Sequence, residues 1–326
     1  MRLHLYALIL GTVLDLCIGD PHSIPHPVAA IGKCIHFLDV RFRRAAQRAG
    51  NRQNAELFLG ALMELLVTAG TGAVVLAILA LFYHLSPVVG MLAEAVMTCQ
   101  ILAARSLYDE SGKVYTALRD GTLEDGRKAV SMIVGRDTAA LTEAGVIRAA
   151  VETVAENTSD GVIAPMLYTA LGGPVAGFVY KAINTMDSMV GYQNDTYLYF
   201  GRVPARTDDA ANFIPSRLSA LFMIAAASVG GKQFSAREAF RIWRRDRRKH
   251  RSPNSAQTEA VMAGALGVRL AGPASYFGKP VKKPWIGDAR REIEKEDIRR
   301  AGRLMFLTEG LFFALCAVIG LCIEMV

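Results

Sequence analysis

Only five of the 326 residues are cysteine: Cys17, Cys34, Cys99, Cys316 and Cys322. None forms a C-x-x-C pair, and four lie in or beside apolar segments. That pattern argues against a zinc site and against a disulfide framework. Charge is also scarce, at 21% of residues, while 52% are hydrophobic, which excludes a disordered chain. A Walker A loop and a G-x-G-x-x-G after a strand are missing. So are a G-x-S-x-G elbow and a Cys–His pair in recognisable context, so covalent-nucleophile chemistry has little support. No segment alternates apolar and polar residues as a half-buried strand would, which predicts an all-α protein. No nucleic-acid-reading module accompanies the net charge of +7, so no nucleic acid partner is expected.

What the chain does have is long apolar runs. Residues 65–83 carry no charge, and residues 304–323 carry one, Glu309. At about 1.5 Å per helical residue, such runs nearly span a bilayer core of roughly 30 Å. Further apolar spans are predicted near 3–18, a retained span rather than a cleaved leader, and near 88–104, returning after the Ser86-Pro87 turn. Residues 161–185 are apolar but punctuated by Gly161, Pro165, Gly172-Gly173-Pro174 and Gly177, which predicts a broken or re-entrant helix. The expectation is a polytopic helical membrane protein, one membrane-embedded domain over 1–326, with soluble-type helical insertions at 105–160 and 232–303. Helices are expected to break at Asp120-Gly121-Thr122 and to start at Asp137-Thr138. Lys and Arg gather in 41–52, 105–148 and 237–251, which the positive-inside rule places on the cytoplasmic side. Residues 186–212 face the same side if 161–185 is re-entrant.

Three groups of residues carry chemistry. Arg148, Glu152, Glu156 and Asp160 are spaced four apart, so on a regular helix they share a face, with Asn157 beside them. Two glutamates at that spacing repel each other, which is easier to tolerate with a cation between them. The second group is Lys181, Asn184, Asp187 and Ser188, again on one helical face. The third holds Arg202, Arg206, Asp208-Asp209, Asn212 and Arg217: adjacent aspartates suited to a divalent cation, flanked by arginines suited to phosphate or carboxylate. A proline-rich loop carries Asp20, His22 and His26 and reads as a rigid substrate contact. These residue types point to Mg²⁺, phosphates and carboxylates. The simpler alternatives are a solvated helix face for the first group, an amphipathic polar face for the second and a helix cap for the third.

Several strings together resemble the CobD/CbiB family, the adenosylcobinamide-phosphate synthases of cobalamin biosynthesis. They are Gly19-Asp20-Pro21 with Pro25-His26-Pro27-Val28, Ile133-Val134-Gly135-Arg136-Asp137-Thr138, and Val151-Glu152-Thr153-Val154-Ala155-Glu156-Asn157-Thr158-Ser159-Asp160-Gly161. Tyr180-Lys181-Ala182-Ile183-Asn184-Thr185-Met186-Asp187-Ser188-Met189-Val190-Gly191-Tyr192, Asp208-Asp209-Ala210-Ala211-Asn212 and Ser252-Pro253-Asn254 complete the set. The resemblance covers roughly residues 10–310. Ala29 departs from it, since an Arg often follows the Pro-Val there, and Tyr108-Asp109-Glu110-Ser111 stands where many members carry a His.

The resemblance implies a multi-pass enzyme of a bacterial-type inner membrane. It would use ATP and Mg²⁺ to join adenosylcobyric acid to (R)-1-amino-2-propanol O-phosphate or a related amino-alcohol phosphate, with other membrane enzymes of cobalamin assembly as candidate partners. Under it, Glu152, Glu156, Asp160 and Lys181 are expected to be catalytic. Asp187, Asp208, Asp209 and Asn212 are expected to hold metal. Asp20, His26, Arg136, Asn157, Asn184, Arg202, Arg206 and Arg217 are expected to bind substrate or phosphate. A membrane Mg²⁺-dependent prenyltransferase, with Asn184-x-x-Asp187 and Asp208-Asp209 as paired metal sites, is the alternative enzyme. A transporter is the alternative outside enzymology, but it predicts inverted repeats, and none is visible.

Overall fold

The computed structural model describes residues 2–19, 26–192, 194–276 and 278–325. In chain order its helices are α1 (Arg2–Ile18), α2 (Pro27–Gln47), α3 (Arg52–Leu85), α4 (Pro87–Ile101), α5 (Ala104–Asp120), α6 (Leu123–Ser131) and α7 (Glu143–Asn157). A π turn, Thr158–Ile163, leads into α8 (Ala164–Val190), followed by α9 (Arg202–Ala211), α10 (Phe213–Val229), α11 (Ala236–Asp246), α12 (Ser255–Leu266) and α13 (Glu296–Met325). Between the last two lie the short strands β1 (Leu270–Ala271), β2 (Ala274–Tyr276), β3 (Lys279–Val281) and β4 (Trp285–Ile286). They form two antiparallel ladders, β1 with β4 and β2 with β3. Strands of two or three residues are too short for alternation to show in sequence. The protein is all-α in class.

Local chemistry sets the helix ends. His26 caps α2 by accepting from the Val28 N–H, with Pro27 at the first helical position. Ser86 ends α3 and caps α4, followed by Pro87, so the expected turn is realised. Thr122 and Asp125 form a reciprocal capping box that starts α6. The start expected at Asp137-Thr138 is corrected: α7 begins after Thr142, which caps the Gly145 N–H. Asp137 instead accepts from the Ser275 hydroxyl and the Gly278 N–H, so its side chain is spent on the β2–β3 hairpin.

Among the described residues, four helical stretches are long and apolar enough to cross a membrane: Arg52–Leu85, Pro87–Asp120, Glu143–Val190 and Glu296–Glu324. The bent pair α9–α10 qualifies when taken together. The expected spans 65–83, 88–104 and 304–323 lie within three of these stretches, and 3–18 lies within the shorter α1. On α3, Phe58, Leu65, Leu66, Val74, Leu76, Leu81 and Leu85 are all exposed, an apolar face too continuous for water but suited to lipid.

The chain separates into two compact units. Unit 1 comprises Met1–Ala103, Ala164–Asn212 and Cys316–Val326. Unit 2 comprises Ala104–Ile163 and Phe213–Leu315, and it contains both expected insertions. In unit 1 the core is Ile31, Ile35, Met63, Val67, Ile101, Phe178, Met186 and Phe200, from α2, α3, α4, α8 and the segment before α9. Helix α1 meets α4 so closely that a Cβ on Gly11 would lie 2.6 Å from the Ala95 carbonyl oxygen, the small-residue packing that membrane helices favour. In unit 2 every residue of α12 is buried, and α7, α10 and α11 pack around it.

The break expected in 161–185 is present. Gly172 and Gly173 leave helical geometry, with Gly173 at φ +63°, and Pro174 follows. Pro174 has no N–H, so the Ala170 carbonyl four residues earlier loses its helical donor. His4 supplies a replacement, with Nε2 3.2 Å from the Ala170 oxygen. The other ring nitrogen, Nδ1, contacts Glu94, which also accepts from the Tyr83 hydroxyl. His4 of α1, held by Glu94 of α4, which Tyr83 of α3 also bonds, thus satisfies a backbone group that a bilayer would leave unpaired.

Replacing His4 by Phe removes that donor and one partner of Glu94. The expected cost is about 1–3 kcal/mol, read as a lower thermal unfolding midpoint in detergent. An unchanged midpoint would show that the broken helix holds itself.

Candidate functional site

The expected site residues gather in two clusters, one in each unit. In unit 2 a cavity of about 260 Å³ is lined by Arg136, Glu152, Glu156, Asn157, His250, Glu259, Tyr276 and Lys283. Helix α7 places Glu152 and Glu156 one turn apart on its cavity face. Glu152 is buried, pairs with the Arg136 guanidinium, and accepts from the Ala271 N–H at 2.6 Å. Ala271 holds that N–H in place with φ +58°, the only non-glycine positive φ among the described residues. Burial works against the Arg136 charge, but the charge and hydrogen bond of Glu152 outweigh it and raise its pKa.

Glu156 accepts from the Ser255 hydroxyl at 2.8 Å. Asn157 donates its amide to the Thr153 carbonyl at 3.0 Å, which leaves its own side-chain oxygen to accept. Asp160 shares the four-residue spacing but does not line the cavity. The π turn is the reason: its i→i+5 bonding widens the helix, so residue 160 no longer falls beneath residue 156. Ser159 in the same turn has a buried hydroxyl without a hydrogen-bond partner.

Four further cavity residues were not legible as site residues. His250 lies inside the basic run 237–251, which in sequence reads only as a topology signal. Its Nδ1 accepts from the Ser252 N–H at 3.1 Å, which leaves Nε2 as the protonated nitrogen of the neutral ring. Burial lowers its pKa, Glu156 pulls it up, and Lys283 pushes it down again, for a net lowering. Lys283 donates to the Tyr276 hydroxyl at 2.6 Å. Glu259 is the lone carboxylate of α12, and its isolation among apolar and small residues was the one available signal. It is 5% exposed, and its Oε2 has no hydrogen-bond partner. Burial raises its pKa well above the ordinary range, and the charges of Glu152 and Glu156 add to the rise.

In unit 1, α8 and α9 bring a second set together. Asn184 and Asn212 both donate to Asp208 Oδ1, at 3.1 and 3.0 Å. Tyr180 donates to Asn212 at 2.7 Å and stacks on Tyr168, with ring centroids 5.0 Å apart. Asp208 is buried, while Lys181, Asp187, Asp209 and Arg202 are half-buried and Arg206 is exposed. Arg202 lies over the Tyr199 ring, 4.9 Å from its centroid. Among the described residues no three His, Cys, Asp or Glu side chains are gathered as a metal site. The donor set at Asp208 therefore suits Mg²⁺ only with phosphate oxygens completing its shell, which is how that ion is commonly held.

Arg217 belongs to unit 2, whereas the aspartates it follows in sequence belong to unit 1. It donates to the Phe213 carbonyl at 2.7 Å and the Asn254 side chain at 3.0 Å, and so clips the Ser252-Pro253-Asn254 loop onto α10. Ser216 donates to the same Asn254 oxygen at 3.1 Å, a second tie of that loop to α10. His26 serves as a helix cap in unit 1. Asp20 and His22 lie outside the described residues.

The chain matches the family model described as CobD/Cbib protein over residues 8–305. The cobalamin biosynthesis protein CobD of Geobacter metallireducens is 49% identical over 312 residues, 95% of each chain. The cobalamin biosynthesis protein CbiB of Salmonella typhimurium is 45% identical over 306 residues, 94% of each. CobD of Klebsiella pneumoniae is 45% identical over 311 residues, 95% of this chain and 96% of its own. No solved structure is similar at the same level of significance.

The raised pKa of Glu259 has a consequence for stability. A carboxyl whose folded pKa exceeds its unfolded value of 4.5 stabilises fully below that pH and loses its contribution as pH rises toward the folded value. Glu259→Gln, which cannot ionise, is therefore expected to gain stability relative to the unaltered protein as pH rises above 4.5. Thermal melts between pH 4 and 8 test this, and parallel curves would contradict it.

Proposed function

The chain belongs to the CobD/CbiB family of cobalamin biosynthesis proteins, and from that membership we propose that it is an adenosylcobinamide-phosphate synthase of a bacterial-type inner membrane. The observation that supports the reaction class is the charged cavity in unit 2. It is built from the Arg136 and Glu152–Asn157 strings and lined by opposed carboxylates and cations.

The reaction joins the carboxylate of adenosylcobyric acid to the amine of (R)-1-amino-2-propanol O-phosphate or a close analogue. A carboxylate does not accept an amine unaided. Transfer of the γ-phosphoryl group of ATP to a carboxylate oxygen gives an acyl phosphate and ADP. The amine nitrogen then attacks the acyl carbon, loses a proton, and expels inorganic phosphate as the carbon–oxygen bond breaks.

The protein's tasks divide between the two clusters. In unit 1, Asp208, flanked by Asn184 and Asn212, would hold Mg²⁺ together with the nucleotide phosphates, and Asp187 and Asp209 would add negative charge from nearby positions on α8 and α9. Bound there, the ion would offset the charge that develops on the transferring phosphoryl group. Lys181, Arg202 and Arg206 would neutralise the remaining phosphate charge. In unit 2, Glu156 is the acceptor for the proton that the amine loses. Glu152 is held by Arg136 and Ala271 and positions the cavity wall rather than moving protons. Arg217 bonds the loop at Pro253 and Asn254, which makes it a positioning residue.

Membranes holding the protein are expected to convert adenosylcobyric acid, amino-propanol phosphate, Mg²⁺ and ATP into a corrinoid heavier by the amino-alcohol phosphate less one water. Glu156→Gln and Asp187→Asn are each expected to lower turnover by about 10²–10⁴-fold. No product with any amino-alcohol phosphate would turn the reading toward diphosphate transfer. Full activity in both variants would dismiss the assignment of residues.

A further inference from the structure

The unit 2 cavity has more carboxylate than cation. Glu152 is satisfied by Arg136 and the Ala271 N–H. That leaves Glu156 and Glu259 facing one further cation, Lys283, which donates to the Tyr276 hydroxyl. Burial disfavours the charged form of His250, so it adds little cation to the cavity. Glu259 Oε2 is the least accommodated atom: a buried carboxylate oxygen without a donor. Such a group is costly unless a ligand completes it.

The missing partner is a small cation that can donate several hydrogen bonds. A primary ammonium offers three N–H donors on a compact head. The cavity offers Glu259 Oε2, Glu156 and the Asn157 side-chain oxygen as acceptors. At about 260 Å³ it falls below the range that drug-sized ligands occupy, so it takes a small molecule rather than a nucleotide or a macrocycle. The carboxylates are not gathered as metal ligands. Lys283 and His250, which also line the cavity, offer N–H donors to an anionic end of that molecule.

We propose that the unit 2 cavity is the binding site for a small primary amine, with Glu259 as the residue that recognises its ammonium group. The identity of that amine as an amino-alcohol phosphate rests on the synthase reading; the ammonium specificity does not. Glu259 lies about one hundred residues beyond Glu156, on the fully buried α12, so its carboxylate is fixed by packing against α7, α10 and α11.

The test compares 1-amino-2-propanol phosphate with 2-propanol phosphate, which lacks the amine, by calorimetric titration of the purified full chain without corrinoid or ATP. The unaltered protein is expected to prefer the amine at least tenfold. Glu259→Gln, close to isosteric, is expected to lose that preference, and Glu259→Asp to retain part of it. In turnover assays Glu259→Gln should raise the KM for the amine while leaving the KM for ATP unchanged. Equal binding of both phosphates, binding of neither, or an undiminished preference in Glu259→Gln would overturn the proposal. A missing corrinoid product beside an intact, Glu259-dependent amine preference would instead overturn the synthase reading alone.

Discussion

A carboxylate removed from water must be both paired and hydrogen bonded, or its burial destabilises the fold. Glu152 meets that requirement with partners from two distant places, the segment before α7 that carries Arg136 and the strand β1 that carries Ala271. The rest of the cavity follows from this tie. With the Arg136 loop and β1 held to α7, the next turn of that helix brings Glu156 against Ser255 at the start of α12. Glu259, one turn further along α12, is then enclosed. The unusual backbone at Ala271 is consistent with the same priority, since conformational strain persists where surrounding contacts over-determine it.

Unit 1 answers a related constraint with different means. There the difficulty is a carbonyl freed by the Gly172-Gly173-Pro174 break, and the remedy is a side chain from another helix. His4, Glu94 and Tyr83 form a polar thread through an otherwise apolar set of helices. Three helices therefore meet α8 at the point where it cannot bond itself. In the same unit, Asp208 sits between two amide donors contributed by α8 and by the end of α9. In both places an irregular or charged group is accommodated by residues from other elements.

The membrane-spanning architecture was legible because apolar runs are local and long, and because Ser86-Pro87 and Asp120-Gly121-Thr122 carry their turn chemistry within two or three residues. Glu152 and Glu156 were legible for the same reason: four-residue spacing survives on a regular helix. Asp160 was misplaced because a π turn leaves no mark in residue spacing. His250, Glu259 and Lys283 join the cavity from segments that are far apart in sequence, so no local pattern could associate them. Arg217 illustrates the converse. It neighbours the aspartates in sequence, yet its guanidinium is spent on a proline-containing loop.

Unit 2 is assembled from two stretches of chain, separated by the forty-nine residues of Ala164–Asn212 that belong to unit 1. Its central helix, α12, is buried on every side by partners drawn from both stretches. During synthesis the first stretch, with α7 and its glutamates, therefore emerges long before the helix that must cover them. Until then it has no complete core, and the carboxylates remain open to water. The unit cannot be completed as an early, self-sufficient body in the order that domains commonly follow as they leave the ribosome. Its completion waits on non-local contacts, whose loop-closure entropy slows folding, because a whole segment of unit 1 is synthesised between its two stretches.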